Sequence, residues 1–374
     1  MKNFNVSSKD FEKFLSKLNS VINKKCALPI LSTAILSVDT EESKISGRAS
    51  DLELQIEASC DIALPSESFS FCVEPSAIIL LLKKIPLQPI MVNFDDDKIT
   101  IVAGKTKYDF PSHFDIKDFP NIASKTEGRK FLVPTEGFMY AINKCINTVG
   151  SDDLRPVMNG ISIRETENIV YAASTDAHFL SMVDIDSGDS IKDVDFIIPK
   201  NAIPHIKAMT FGDNVEIELT GKSIIISNEN EILTSRLIEG VYPKYNAILP
   251  TDWTTEVIYE ASNLKNAIDR LSIIGAVAVI VEIDLSTGET KLTADNVDLS
   301  KSGEEYVTAI SITNKSEEET LRIGMNVNKF LALSKNFDFS EMSVRFNSPS
   351  NPIIFKPANV NTDIELFLLM PCMV

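Results

Sequence analysis

Histidine is scarce in this 374-residue chain, with only His113, His178 and His205. That leaves little material for metal centres or proton relays, and no metal-ligand spacing uses them. G-x-S-x-G, G-x-G-x-x-G and Walker A segments are also missing, which removes familiar signatures of acyl transfer, dinucleotide binding and phosphate cradling. Asp176 and His178 would share a strand face, but no third ligand lies nearby, and Asp152-Asp153 reads as a solvated loop rather than an acid–base pair. The five cysteines form no C-x-x-C pair, and their odd number in a large chain argues for reduced thiols. No run of about 18 uncharged apolar residues exists, since Ile78–Leu82 and Ile273–Val281 are too short to span a bilayer. The opening MKNFNVSSKDFEKF meets charge before any apolar run, unlike a signal peptide. A cytoplasmic protein without enzymatic activity, metal or cofactor is therefore expected.

Basic residues are outnumbered, 36 to 53, for a net charge of −17. Taken alone, that argues against a polyanionic partner. Pro/Gly/Ser-rich linkers are absent too, so nothing marks a string of loosely tethered domains.

What the chain does contain is repetition. FNVSSKDFEKFLSKLNSVI from Phe4, FLVPTEGFMYAINKCINTV from Phe131 and VIYEASNLKNAIDRLSII from Val257 share one plan of strand, polar cap and amphipathic helix, at spacings of 127 and 126. Ser8, Thr135 and Ser262 stand where an N-cap is wanted. Phe11, Phe14, Leu15 and Leu18 make one apolar helix face, and Leu264, Ile268 and Leu271 make another. A second strand–helix unit recurs from Phe71, Phe196 and Ile323, so each third is itself a doubled module. Asn214–Leu219 and Met342–Asn347 alternate like half-buried strands. Ala49-Ser50-Asp51, Ser174-Thr175-Asp176 and Thr293-Ala294-Asp295 are expected to end equivalent strands. The expectation is an α+β fold of three repeated domains, 1–126, 127–254 and 255–374, each with helices on one face and antiparallel sheets on the other.

The charges are segregated on this plan. Six helices expected at 8–25, 74–85, 135–149, 199–210, 262–274 and 326–337 carry 14 basic and 5 acidic residues, a net +9 that leaves −26 for everything else. Lysines near helix C-termini also complement the macrodipole, but that does not explain why acidic residues are scarce there. Basic helices on an acidic body suit a positive surface offered to phosphates and an exterior that resists non-specific contacts.

Four short stretches, in order along the repeats, carry a family resemblance: Ala27-Leu28-Pro29-Ile30-Leu31, Arg155-Pro156-Val157-Met158-Asn159-Gly160, Ser174-Thr175-Asp176-Ala177-His178 and Leu368-Leu369-Met370-Pro371. Over its whole length the chain resembles the bacterial DNA polymerase III beta subunit, the sliding clamp. The resemblance implies a clamp fold and a head-to-tail homodimer ring around duplex DNA, held without regard to sequence. It also implies a processivity role, with the replicative polymerase and clamp loader docking through short linear motifs. It places DNA contacts at Lys25, Arg155 and Lys200. It places a peptide pocket at Met158, Thr175, His178, Leu180, Pro243, Ile248, Leu368, Leu369 and Met370, and a dimer interface at Tyr108, Phe110, Ile273 and Ile274, with Lys105 and Lys107 beside it. Ala177 and Phe179 stand where the family usually has glycine and arginine, Ala247 replaces a frequent arginine, Cys372-Met373 replaces a more basic ending, and an arginine is missing near Val279. A less basic pocket rim follows.

Overall fold

The computed structural model describes residues 2–23, 28–95, 97–112, 115–120, 128–185, 193–250, 252–358 and 365–373. Six α-helices lie among them: α1 (Ser8–Asn19), α2 (Pro75–Leu82), α3 (Thr135–Cys145), α4 (Ile203–Ala208), α5 (Ala261–Ser272) and α6 (Val327–Ser334). They are shorter than the sequence spacing suggests. The remaining elements are mainly antiparallel strands in four sheets.

The chain folds into two compact units, one of residues 1–135 with 201–237, the other of 136–200 with 238–374. The first unit holds a four-stranded sheet in the order Lys2–Ser7, Pro89–Asp95, Lys98–Ala103, Thr106–Pro111. It also holds an eight-stranded sheet, in which strands of the first third continue into strands of the middle third where Leu54–Asp61 pairs with Glu231–Arg236. The second unit repeats the device. Phe179–Asp184 of the middle third pairs with Glu365–Leu369 of the last third inside a nine-stranded sheet. A four-stranded sheet, Lys301–Thr308, Glu289–Asn296, Ala278–Asp284 and Thr320–Asn326, completes it.

Sheet register makes the repeat explicit. Directly opposed residues run in a row from each repeat start. Phe131, Ile217, Ile226 and Leu233 end opposite Ile56. Val257, Val344, Phe355 and Phe367 end opposite Ser181. The matching row in the first third, Phe4, Val92, Ile101 and Tyr108, stops at an open edge. Inward alternation fixes this pairing, because a one-residue slip would turn every buried side chain outward.

The helices pack their apolar stripes on the sheets. Phe11, Phe14, Leu15 and Leu18 of α1 are buried, as are Leu264, Ala267, Ile268 and Leu271 of α5. Gly47 admits α1 closely, since a Cβ there would lie 2.4 Å from Leu18 Cδ1 and 2.7 Å from Phe14 Cζ.

The expected N-caps are corrected. Ser8 and Thr135 are the first residues of α1 and α3, and Ser262 lies inside α5. Their hydroxyls donate elsewhere, Ser8 to Pro86 O, Thr135 to Gly212 O and Ser262 to Glu260. Each helix start is instead pinned by its backbone. The N–H groups of Ser8, Thr135 and Ala261 each donate over 2.9 Å, to the carbonyls of Gln88, Asp213 and Ser340. A true side-chain cap occurs at α6, where Asn326 accepts from Lys329 N.

The third strand-end landmark is out of step by one residue. Ile56, Ser181 and Gly303 are equivalent, and they face Ala49, Ser174 and Ala294 rather than Thr293. Asn296 therefore matches Asp51 and Asp176, and its Oδ1 accepts from Leu299 N just as theirs accept from Leu54 N and Phe179 N.

Candidate peptide pocket and basic helix surface

An apolar cluster forms on one face of the nine-stranded sheet of the second unit. Leu180, Leu368 and Ile354 are direct cross-strand partners, and Ala173, Met182, Ile197, Tyr242 and Tyr245 join them under Val157, Leu249 and Met370. Leu180 and Leu368 form its buried floor. Met370 is half-buried, and its N–H donates to His178 O over 2.7 Å, which ties the last strand to the exposed His178. Pro243 and Met158 are half-buried, and Ile248 is exposed.

Thr175 is buried and structural. Its hydroxyl donates to Phe179 O at 2.7 Å, and its N–H donates to the Tyr242 hydroxyl at 3.0 Å. Burial raises the pKa of Tyr242, so its phenol stays protonated. Leu369 must be corrected. It alternates to the other face of its strand and packs with Phe179 and Phe367 in the core of the last third. Tyr242, Tyr245 and Ile354 were missed. Tyr242 lies outside strands and helices and Tyr245 opens a three-residue 3-10 helix, Tyr245–Ala247, too short to show a period, so the spacing of Tyr242, Pro243 and Tyr245 was the one available signal.

The turn beside the pocket is held tightly. Asp176 Oδ1 accepts from His178 N and Phe179 N, and its Oδ2 pairs with Lys329, whose ammonium sits 4.8 Å from the Phe179 ring centre. Asp176 thus serves the turn and α6, not chemistry. Among the described residues, no group of three His, Cys, Asp or Glu is placed to hold a metal. Ala177 adopts φ +76°, the left-handed region that glycine enters more cheaply.

Of the residues expected at DNA, Lys25 lies outside the described residues. Arg155 and Lys200 are exposed and attach to the same loop. Arg155 pairs with Asp152 at 2.8 Å, and Lys200 N donates to Asn159 O. The charge split is weaker than expected. Lys83 and Lys335 cap helix ends, Lys84 and Lys200 fall outside the helices, and the six helices keep eight basic and four acidic residues, a net +4. Lys17, Lys144, Arg270 and Lys329 are occupied by Glu231, Asp338 with Glu365, Glu305 and Asp176. Lys9, Lys13 and Lys207 remain exposed on helix surfaces.

The expected interface residues Tyr108 and Phe110 lie on the open-edged strand Thr106–Pro111, with Tyr108 37% exposed. Ile273 caps α5 and is 77% exposed, while Ile274 is partly buried against the core. Tyr108 and Phe110 belong to the first unit, and Ile273 and Ile274 to the second.

Family models match in three consecutive segments. The DNA polymerase III beta subunit N-terminal domain covers residues 2–123, the central domain 132–244 and the C-terminal domain 246–371. The chain belongs to the DNA polymerase III beta subunit family. Its function is that of the family, a sliding clamp, which is a processivity factor and not itself catalytic. Similar curated proteins are the beta sliding clamps of Proteus mirabilis, 24% identical with 98% of this chain and 99% of that protein covered, and of Bacillus subtilis, 22% identical with 93% of each covered. Similar solved structures are the Bacillus subtilis clamp, with TM-score 0.91, 18% identity and 100% of this chain and 99% of that one covered, and a Bartonella birtlesii clamp bound to griselimycin, with TM-score 0.90, 23% identity and 100% of both covered. Among the described residues, no helix of this clamp is long and apolar enough to cross a membrane.

Proposed function

We propose that two copies of this clamp close head to tail around duplex DNA, and that each offers the Leu180–Leu368 cluster to a short apolar peptide of a polymerase or clamp loader. The repeat units are the thirds 1–126, 127–254 and 255–374. The observation that carries the ring is the pair of open edges. Within the chain, two rows of opposed residues cross from one third to the next, through Leu233 with Ile56 and Phe367 with Ser181. The third row ends at Tyr108, and the strand equivalent to those of Ile56 and Ser181, Lys301–Thr308, also stands at the edge of its sheet. A second copy would complete the pattern with Tyr108 opposite Gly303 and Thr106 opposite Glu305, a contact between unlike edges that can close into a ring.

Helix positions agree. Ser20 and His205, 3.2 Å apart, meet where the first and middle thirds join. Their repeat equivalents at the open junction are Ile273 and Leu80, both exposed, at 77% and 63%. An apolar pair split between two free surfaces is what copy-to-copy packing would cover.

Lys9, Lys13 and Lys207, with Arg155, Lys200 and Lys25, would supply the phosphate contacts, few and mobile enough to permit sliding. In the peptide pocket, Leu180, Leu368 and Met370 receive an apolar anchor, Met158, Pro243 and Ile248 line its mouth, and His178 and Thr175 frame the turn. Cytoplasmic placement fits this role.

The test is topological. The clamp is placed on nicked circular duplex by its loader, and the circle is then cut. Retention on circles and loss from linear ends is expected. Retention indifferent to the cut would refute the ring.

A further inference from the structure

Three basic residues occupy one repeat position on the first helix of each third: Lys17, Lys144 and Arg270, spaced 127 and 126 apart. The first two reach across a junction. Lys17 pairs with Glu231, and Lys144 pairs with Glu365 at 3.3 Å. Glu231 and Glu365 are themselves equivalent, each opening the last strand of the following third. Each ion pair therefore fastens one third to the next.

Arg270 does not follow this rule. It makes a bidentate pair with Glu305 of its own third, through Nε and Nη2, both at 2.7 Å. Register rows locate Glu305. Phe71, Leu36, Gly47 and Ala58 lie in one row that ends opposite Glu231. Phe196, Ile163, Ala172 and Val183 lie in the next, ending opposite Glu365. Ile323, Val281, Leu292 and Glu305 lie in the third, which ends at the free edge. So the acid has moved to the near side of the third junction, to a position that holds Ala58 and Val183 in the other two. The far side lacks it. The first residue of the strand equivalent to Glu231 and Glu365 is Thr106, and it is flanked by Lys105 and Lys107. The residue equivalent to Met209 and Asn336, which lie beside Lys17 and Lys144, is Lys84.

We infer that the placement of Glu305 on Arg270's own side, and not across the junction, leaves the copy-to-copy junction easier to part than the two intrachain ones. Glu305 neutralises Arg270 within one chain, so the junction parts without stranding a charge, whereas the two intrachain junctions are locked by pairs that span them. This rests on the head-to-tail reading above. On that reading Glu305 also faces the cationic edge Lys105–Lys107 of the second copy, which steers the two edges together. An ion pair whose partners sit on different subunits must be broken on dissociation, and that slows dissociation. Keeping both partners on one side removes that contribution.

The experiment moves the acid. Thr106→Glu with Glu305→Thr recreates at the open junction the arrangement of the other two. Subunit exchange is followed by energy transfer between two labelled populations of the full chain, after sedimentation has shown the assembly state of each. The double variant is expected to exchange about tenfold more slowly than wild type, an effect lost at high salt. Glu305→Gln, which keeps shape and removes charge, is expected to exchange faster, because Arg270 then faces Lys84 unpaired. A double variant that remains dimeric and exchanges at the wild-type rate or faster would overturn the inference alone. A wild-type chain that sediments as a monomer would overturn the head-to-tail reading and the inference with it.

Discussion

Lys144 offers the sharpest perturbation in the molecule. It lies on α3 with its side chain 6% exposed, and it reaches residues of the last third: Glu365, 5% exposed, at 3.3 Å, Asp338 Oδ1 at 2.6 Å and the carbonyl of Asn336. Tyr140 adds a hydrogen bond to Glu365 at 2.8 Å. Lys144→Met keeps the volume of the stem and strands the Glu365 carboxylate. Breaking a buried pair from one side costs about 3–5 kcal/mol, much of it the charge left behind. Lys144→Met with Glu365→Leu is therefore expected to recover at least half of the loss.

The pH dependence has a definite sign. Burial raises the Glu365 pKa above the usual carboxylate range, and Lys144 works against that rise. A carboxyl with a raised folded pKa contributes most favourably below its unfolded pKa, and that contribution is lost as pH climbs through the folded value. Removing Lys144 lifts the folded pKa further, so the cost of Lys144→Met is expected to grow between pH 5 and pH 8. Urea unfolding at both pH values measures it. A loss below about 1 kcal/mol at pH 8, or a loss that does not change with pH, would refute the claim that this pair is buried and coupled.

Two further outcomes follow from single positions. Ala177→Gly relieves a left-handed alanine at φ +76° and is expected to raise stability by roughly 0.5–1 kcal/mol in the same urea assay, without altering the turn bonds made by Asp176. Leu80→Asp, exposed in the single chain, is expected to leave thermal unfolding of the monomer unchanged while weakening dimerisation at least tenfold by sedimentation equilibrium.

Much of the fold is legible in the sequence. Phe4, Phe131 and Val257 were recognisable as repeat starts, and they begin the three opposed rows. The buried faces of α1 and α5 are those that helical spacing marks out. Caps were less legible. A hydroxyl at a helix start can serve the helix or a neighbouring strand, and Ser8 and Thr135 bond to carbonyls 78 and 77 residues away. Of the residues expected at the pocket, Leu180 and Leu368 share one cluster, whereas Leu369 lies in another, because one residue along a strand reverses the face.

The charge reading shows the same divide. The repeated basic position on the first helices is a property of the sequence, because residue identity at a fixed spacing needs no coordinates. Which of those cations remain available is not, because an ion pair depends on which distant acid the fold brings within reach. The order of residues by itself determined a threefold repeat of doubled strand–helix modules, and with it the family. Tertiary structure alone decided that Lys17 and Lys144 are consumed in fastening one third to the next, that Arg270 is answered from its own side, and that Thr106–Pro111 and Lys301–Thr308 each stand at a sheet edge. Side-chain periodicity is local along the chain, whereas pairing of charges joins residues on different elements, 35 positions apart for Arg270 with Glu305 and 214 for Lys17 with Glu231.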